Sequence, residues 1–342
     1  MTDSPPRIGA APTLHDVARE AGVSLATASR VLNGSTRKVA EAYRERVQTA
    51  ADRLGYTANI SAQAIARGTS ATVALIVADI AYPYFGQIAS GVAHAAEEAG
   101  LIVTIAMTER DPQREVALVR ALRGQRPRGI VLAASRDASG DTDALAAEIS
   151  SVQSAGGRVV TIGSALPGAR VVAYGNEAGA RDLGERLAGL GYRSSIVLAG
   201  PEGLRTSDDR IAGFTAGFTA GGGRTPRIER GRFSRDDGYA SMRRLLEEGV
   251  DPGTLVFGIS DVVAIGAISA IRDAGRRPGA DIAVAGFDDI ATGRDITPGL
   301  TTVRLPLEEL GAQALHAAVD PDWVAPGPVA LEVLVRESTP PR

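Results

Sequence analysis

Apolar positions along this chain repeat with two different periods, and the change of period divides it. From residue 13 to 54 the spacing is helical. Leu14, Val17, Ala18 and Ala21 form one stripe on a short helix that starts at Thr13, three residues before Asp16, and stops at Gly22. Val23 then packs inward, Ser24 can cap a second helix, and Ala28, Val31 and Leu32 face back toward the first. That arrangement leaves Leu25, Ala26, Thr27, Ser29, Arg30 and Asn33 pointing outward. A third helix puts Val39, Tyr43, Val47, Ala50 and Leu54 on one side before Gly55 ends it. Two short helices joined at a glycine describe a helix-turn-helix, whose second helix can lie in the major groove of DNA. Helix pairs of this kind also occur in all-helical domains, so the spacing alone leaves both readings open.

From residue 71 short β-branched apolar runs alternate with amphipathic helices. Runs 73–80, 101–107, 129–135, 158–163, 195–200, 254–259 and 281–287 read as buried parallel strands. Stretches 85–99, 112–123, 176–190, 208–220, 236–248 and 261–274 read as helices, and 331–337 as a closing strand. Repeated βαβ units predict an α/β fold of doubly wound parallel sheets that bind ligands at the carboxyl ends of their strands. Tyr82, Pro83, Tyr84 and Phe85 follow the first of these strands, where a cleft would open, and their rings can stack on a ligand ring.

Composition narrows the function classes. The 342 residues, 44% of them hydrophobic, suffice for two or three domains. No apolar run approaches the roughly 20 residues of a membrane span and the first residues lack a signal-peptide core, so a cytoplasmic protein with no membrane partner is expected. There is no Cys, and His15, His94 and His316 are scattered, which leaves no metal site and no thiol chemistry to expect. The net charge of −3 hides an asymmetry. Residues 1–70 carry nine basic and six acidic side chains, or +3, and the remainder carries 28 and 34, or −6. A basic head on an acidic body supports phosphate contact. Residues 1–12, with three prolines, read as a disordered arm.

The string GVSLATASRVLN, the helix ending in RERVQTAADRLGY, and Asn59 with SAQAIARG together resemble the DNA-binding headpiece of the LacI family of bacterial transcription regulators. The resemblance runs through the rest of the chain. It implies a headpiece over 13–58, a hinge helix or linker over 59–70, and a core of the two-lobed periplasmic-binding-protein type over 71–338. The chain would cross between lobes near 172, 302 and 328, giving lobe 1 about 71–172 and 303–328 and lobe 2 about 173–302 and 329–338. It further implies Thr13, Ser24, Leu25, Ala26, Thr27, Ser29, Arg30, Asn33, Arg37, Lys38, Arg44, Asn59, Ala62, Gln63 and Ile65 as the DNA-binding set, with Ile65 as an apolar wedge for the minor groove. Tyr84, Phe85, Thr206, Arg210, Phe233, Ser260, Asp261 and Asp288 are implied as ligand-binding residues. A homodimer on a near-palindromic operator, with a sugar-like effector and no cofactor, follows from the same resemblance. With no heptad segment after the last strand, a dimer is expected rather than a coiled-coil tetramer.

The sequence departs from that family at several places. Ala40 stands where Ser is usual, Tyr43 where Thr is, Gly163 where Asp is frequent and Met107 where Asn is common, while Ser260-Asp261 replaces Asn-Asp. The first two bear on capping and phosphate contact in the headpiece; the changes at 163, 107 and 260–261 leave the effector open, a nucleobase-type corepressor included, and with it the direction of the switch. An enzyme would need a nucleophile with a base, a metal cluster or a phosphate loop. No GxxxxGK[ST] occurs, and Gly258-Ile259-Ser260-Asp261-Val262 lacks the closing glycine of a nucleophile elbow. An exported sugar-binding protein would share the core but have no use for residues 13–67.

Overall fold

The computed structural model describes residues 12–32, 39–57, 70–133, 136 and 142–342. The chain divides into two units, residues 1–70 and 71–342. In the first, α1 (Leu14–Ala21), α2 (Leu25–Leu32) and α3 (Glu41–Leu54) enclose a small core of Val17, Ala18, Ala21, Ala28, Val47, Ala50 and Ala51. Thr13 and Asp16 form a reciprocal capping box at the start of α1, and Gly22 closes it with φ of 60°. Arg46 of α3 donates to the carbonyls of Ala21 and Gly22, satisfying acceptors that a helix end leaves open. Tyr43, expected inside this core, is instead 47% exposed beside Arg46. α1 and α2 are eight residues each against fourteen in α3, and the packed stripe is Val47, Ala50, Ala51 and Leu54, so the first turn of α3 goes uncovered.

The second unit opens with β1 (Thr72–Val77), α4 (Pro83–Glu98), β2 (Ile102–Met107), α5 (Pro112–Arg123), β3 (Gly129–Leu132), α6 (Asp143–Ser154), β4 (Arg158–Ile162) and β5 (Arg170–Val172). These strands form one parallel sheet in the order β2-β1-β3-β4-β5. There follow α7 (Asn176–Gly189), β6 (Ser195–Ala199), α8 (Arg205–Ala220), β7 (Arg227–Arg230), α9 (Arg235–Glu248), β8 (Leu255–Gly258), α10 (Asp261–Asp273), β9 (Ala283–Ala285) and the short α11 (Thr292–Asp295). The second parallel sheet runs β7-β6-β8-β9. Then β10 (Thr302–Arg304) leads to α12 (Leu307–Val319), which packs on α4 and on β3, β4 and β5 of the first sheet. β11 (Glu332–Leu334) returns antiparallel to β10, and Ser338 accepts from the amide of Val284 beside the second sheet. The chain therefore passes between two doubly wound lobes three times. No described helix is long and apolar enough to cross a membrane.

The departures from the sequence pattern have physical reasons. β2 was expected to be buried, yet it is the outermost strand, with Ile102, Ile105 and Met107 exposed at 54, 45 and 38%. β5 and β7 were not expected: one has three residues, and the other, Arg-Ile-Glu-Arg, reads as polar because it is an edge. β9 and β11 are shorter than their apolar runs. α4 starts at Pro83 rather than 85, because proline suits a first helical turn, and this places Tyr84 and Phe85 on the helix.

Close helix approach sets the layer spacing in both lobes. A Cβ at Gly213 of α8 would fall well inside contact of the Glu177 carbonyl on α7, and one at Gly91 of α4 inside that of Glu308 on α12. Gly213→Ala is expected to destabilise the core by about 1–3 kcal/mol through this overpacking. Gly189→Ala, where a Cβ meets open space, should be neutral or stabilising by less than about 1 kcal/mol. Urea unfolding of the two variants checks both; equal effects would contradict the close approach.

Candidate functional site

Two surfaces carry candidate chemistry, one on each unit. On the first, Ala28 is buried and Val31 and Leu32 pack on the helical core, which fixes the rotation of α2. Leu25, Ala26 and Arg30 are thereby exposed, with Thr27 and Ser29 half-buried among them. The Ser24 hydroxyl accepts from the Thr27 amide at 3.1 Å, and Thr13 is engaged with Asp16, so both act first as helix caps. Arg19, Arg44 and Arg53 pair with Asp16, Glu41 and Glu20, and Arg46 caps α1. Arg30, on α2, is exposed and forms no ion pair among the described residues. Asn33, Arg37, Lys38, Asn59, Ala62, Gln63 and Ile65 lie outside the described residues.

The second surface is a cleft between the two lobes. Its walls come from the carboxyl ends of strands, as the winding of such sheets dictates. Ala78, Tyr82, Tyr84 and Phe85 follow β1, Arg110 follows β2, Ala133 follows β3, and Ile162 and Ser164 end β4. Tyr174 lies on a crossing segment. The other lobe supplies Leu204, Thr206, Arg210, Phe233 and Asp288. Of the eight ligand residues expected from sequence, the cleft brings together Tyr84, Phe85, Thr206, Arg210, Phe233 and Asp288.

Ser260 and Asp261 do not reach the cleft wall. Both are fully buried at the start of α10. Asp261 accepts from the Thr302 hydroxyl at 2.6 Å and from the Ile290 amide at 2.9 Å, which makes it a staple for β10. Tyr82, expected at the cleft with Tyr84 and Phe85, lines it, as do Arg110 and Tyr174, which the sequence had not singled out. The position of Arg110 just past a strand end was the signal available for finding it.

The polar floor is built around Arg210, 1% exposed. Its guanidinium donates to Asn176 Oδ1 and to the Ile259 carbonyl, each at 2.8 Å, and its Nη2 lies 2.9 Å from Asp288 Oδ1. Phe287 covers one face at 3.9 Å. Asp288 Oδ2 accepts from the Tyr82 hydroxyl at 3.2 Å, a bond between the lobes. The Tyr84 and Tyr174 hydroxyls meet at 2.8 Å, and Tyr84 and Phe85 stack edge to face. Such a cleft offers ring faces, one buried fork and one carboxylate, the mixture that holds a small polyhydroxylated ring.

Burial pushes the carboxyl of Asp288 up to about 6, against the opposing pull of Arg210 and Tyr82. Burial and the nearby Asp288 push Asp261 up to about 7. A folded-state value above the unfolded one favours the native state at low pH, and that contribution is lost as pH rises through the folded value. Asp261→Asn mimics the protonated carboxyl, so its stability relative to the natural chain should rise by about 1–3 kcal/mol between pH 5 and pH 8. Chemical denaturation at the two pH values measures it; an unchanged difference would contradict the shift.

Residues 13–59 match the family model of bacterial regulatory proteins, lacI family, and residues 70–321 match that of periplasmic binding proteins and the sugar binding domain of the LacI family. Among curated relatives, the regulator CelR of Thermobifida fusca is 32% identical over 339 residues, covering 96% of this chain and 98% of its own. The lactose operon repressor of Escherichia coli is 31% identical over 300 residues, covering 87% and 81%. Among solved structures, a Lac repressor dimer bound to operator and the anti-inducer ONPF superposes with a TM-score of 0.82 at 26% identity, over 96% of this chain and 99% of that one. A CelR–cellobiose complex superposes with a TM-score of 0.67 at 31% identity over the same shares. With both models matched in order along one chain, this protein belongs to the LacI family of bacterial regulatory proteins.

Proposed function

We propose that this chain is a sequence-specific DNA-binding repressor of transcription that binds a near-palindromic operator as a homodimer and is controlled by a sugar or sugar derivative in the core cleft. The observation that carries the DNA reading is the outward row on α2. Leu25 is 38% exposed on a helix whose other face is packed, and Arg30 further along the same helix is exposed and forms no ion pair among the described residues. A large apolar side chain held in water costs free energy that contact with thymine methyls in a major groove returns. Neither Leu25 nor Ala26 can donate the paired hydrogen bonds that read purines. Arg30 and Arg44 suit phosphate oxygens, which set register and give salt-dependent affinity.

The edge strand β2 supports a second copy of the chain as partner. Ile105 and Met107 on one face of this strand and Ile102 on the other expose apolar surface, which an interface of about 800 Å2 per partner can remove from water. A dimer of two headpieces matches a two-fold operator. The effector acts by linkage: binding one lobe arrangement better than the other biases the dimer's grip on DNA by that difference, typically about 1–3 kcal/mol. Sugars and other ring-bearing ligands suit the cleft's aromatic surfaces, and the relative CelR has been solved as a complex with cellobiose.

Selection of duplexes from a random library by the full-length protein is expected to yield a two-fold symmetric site. Leu25→Tyr combined with Ala26→Gln should change the preferred bases at symmetric positions of that site, and unchanged preferences would remove these residues from base reading. Ile105→Arg should convert the dimer to monomer in sedimentation at micromolar concentration and weaken operator binding at least about tenfold, because a buried unpaired charge costs several kcal/mol. A dimer that survives this change places the interface elsewhere.

A further inference from the structure

The walls of the cleft carry an unbalanced charge. Three of its lining side chains, Arg110, Arg210 and Asp288, are charged. Arg210 and Asp288 neutralise each other in the floor. Burial holds the Tyr82 and Tyr84 phenols neutral, so they supply no anion. Arg110 forms no ion pair with a described carboxylate, and the adjacent Glu109 is engaged by Arg114 at 2.9 Å. Among the described residues, one positive charge is left at the mouth of the site.

The backbone holds Arg110 there. Glu109 and Arg110 both take left-handed conformations, φ 54° and 63°, which non-glycine residues adopt only when their surroundings impose it. The imposing bonds are visible: the Glu109 amide donates to the Ala78 carbonyl at 2.9 Å, and the Arg110 amide to Thr108 Oγ1 at 3.2 Å. The side chain then lies over Phe233 of the opposite lobe, its guanidinium carbon 5.7 Å from the ring centroid. A guanidinium resting on a ring face keeps its N–H edge free, and that edge matches two oxygens of a planar or tetrahedral anion. Tyr82, Tyr84, Phe85, Tyr174 and Phe233 add aromatic surface to the wall, which suits the face of a sugar ring.

We propose, building on the sugar-effector reading above, that the effector is an acidic sugar, a ring bearing an anionic oxygen group, and that Arg110 is the residue that selects it. The anionic group sits at the mouth against Arg110 while the ring enters between Tyr84, Phe85 and Phe233. Because Arg110 joins one lobe to an aromatic ring of the other, an anion bound to it also bears on lobe closure.

Titration calorimetry on the full-length protein tests this with matched sets: D-glucose, D-glucuronate and D-glucose 6-phosphate, and the galactose counterparts. In a set that the cleft accepts, an acid is expected to bind about ten- to hundredfold tighter than its neutral parent. The gap should narrow from 0.05 to about 0.5 M salt, since Arg110 is exposed. The carboxylate and phosphate arms tell which anion the site prefers. Arg110→Gln should abolish the gap while leaving the neutral parent's affinity within about twofold, and Arg110→Lys should retain part of it. A neutral parent that binds as tightly as its acids, or a gap that survives Arg110→Gln, overturns the proposal and leaves sugar sensing intact. Failure of every sugar in both sets overturns the proposal and sugar sensing together, while operator binding by the same preparation reports separately on the DNA reading.

Discussion

The core depends on burying the charge of Arg210 without leaving it unpaired. An isolated guanidinium out of water is costly, and removing one partner of a buried pair typically costs about 3–5 kcal/mol. Arg210 meets this constraint with ligands from three places: Asn176 at the start of α7, the Ile259 carbonyl after β8, and Asp288 after β9. Satisfying one side chain thus fixes three elements of the second lobe relative to one another. Asp288 in turn reaches Tyr82 of the first lobe, so the same cluster registers the two lobes across the cleft.

Asp288 belongs to a set of buried acids, each tied to a different part of the chain. Asp261 holds Thr302 and the Ile290 amide, and Asp289 holds Arg304 at 2.9 Å and Arg336 at 2.6 Å. Thr302 and Arg304 lie on β10, and Arg336 follows β11. The crossing strands are therefore anchored to the acids that border the ligand floor. A ligand that rearranges the Tyr82–Asp288–Arg210 contacts acts where the chain passes from lobe to lobe, which is the place from which a small change in the cleft can alter lobe angle. Glycines let α7 pack closely on α8 and α4 on α12 within each lobe, whereas the crossings are held by the acid-centred contacts just described.

The headpiece solves a different problem. With a core made mainly of alanine and valine, it buries little surface, and its stability leans on local devices: the Thr13–Asp16 capping box, the Ser24 cap and the Arg46 bridge to the end of α1. Those devices orient α2 so that its apolar Leu25 and its Arg30 remain in water. On the core, Arg110 at the cleft and the apolar residues of edge strand β2 are likewise exposed, and Arg110 forms no ion pair among the described residues. These are the surfaces where DNA, effector and a second subunit are expected to meet the chain.

What the sequence determined by itself is whatever rests on local periodicity and short-range chemistry. The helical period around Gly22, the S/T-x-x-D start at Thr13 and the alternation of apolar strands with helices were legible because each depends on neighbours a few residues away. The strand-end rule likewise pointed to Tyr84 and Phe85, and the family resemblance to Thr206, Arg210, Phe233 and Asp288. Only the tertiary structure decided that Ile102, Ile105 and Met107 lie on an open edge, since an apolar run reads the same at the centre and the rim of a sheet. It also decided that Asp261 staples β10 instead of facing the cleft, and that Tyr43 stays in water. The left-handed backbone at Glu109 and Arg110 and the seat of the Arg110 side chain depend on contacts with Ala78 and Phe233, distant in the chain, and no periodicity in the sequence encodes those distances.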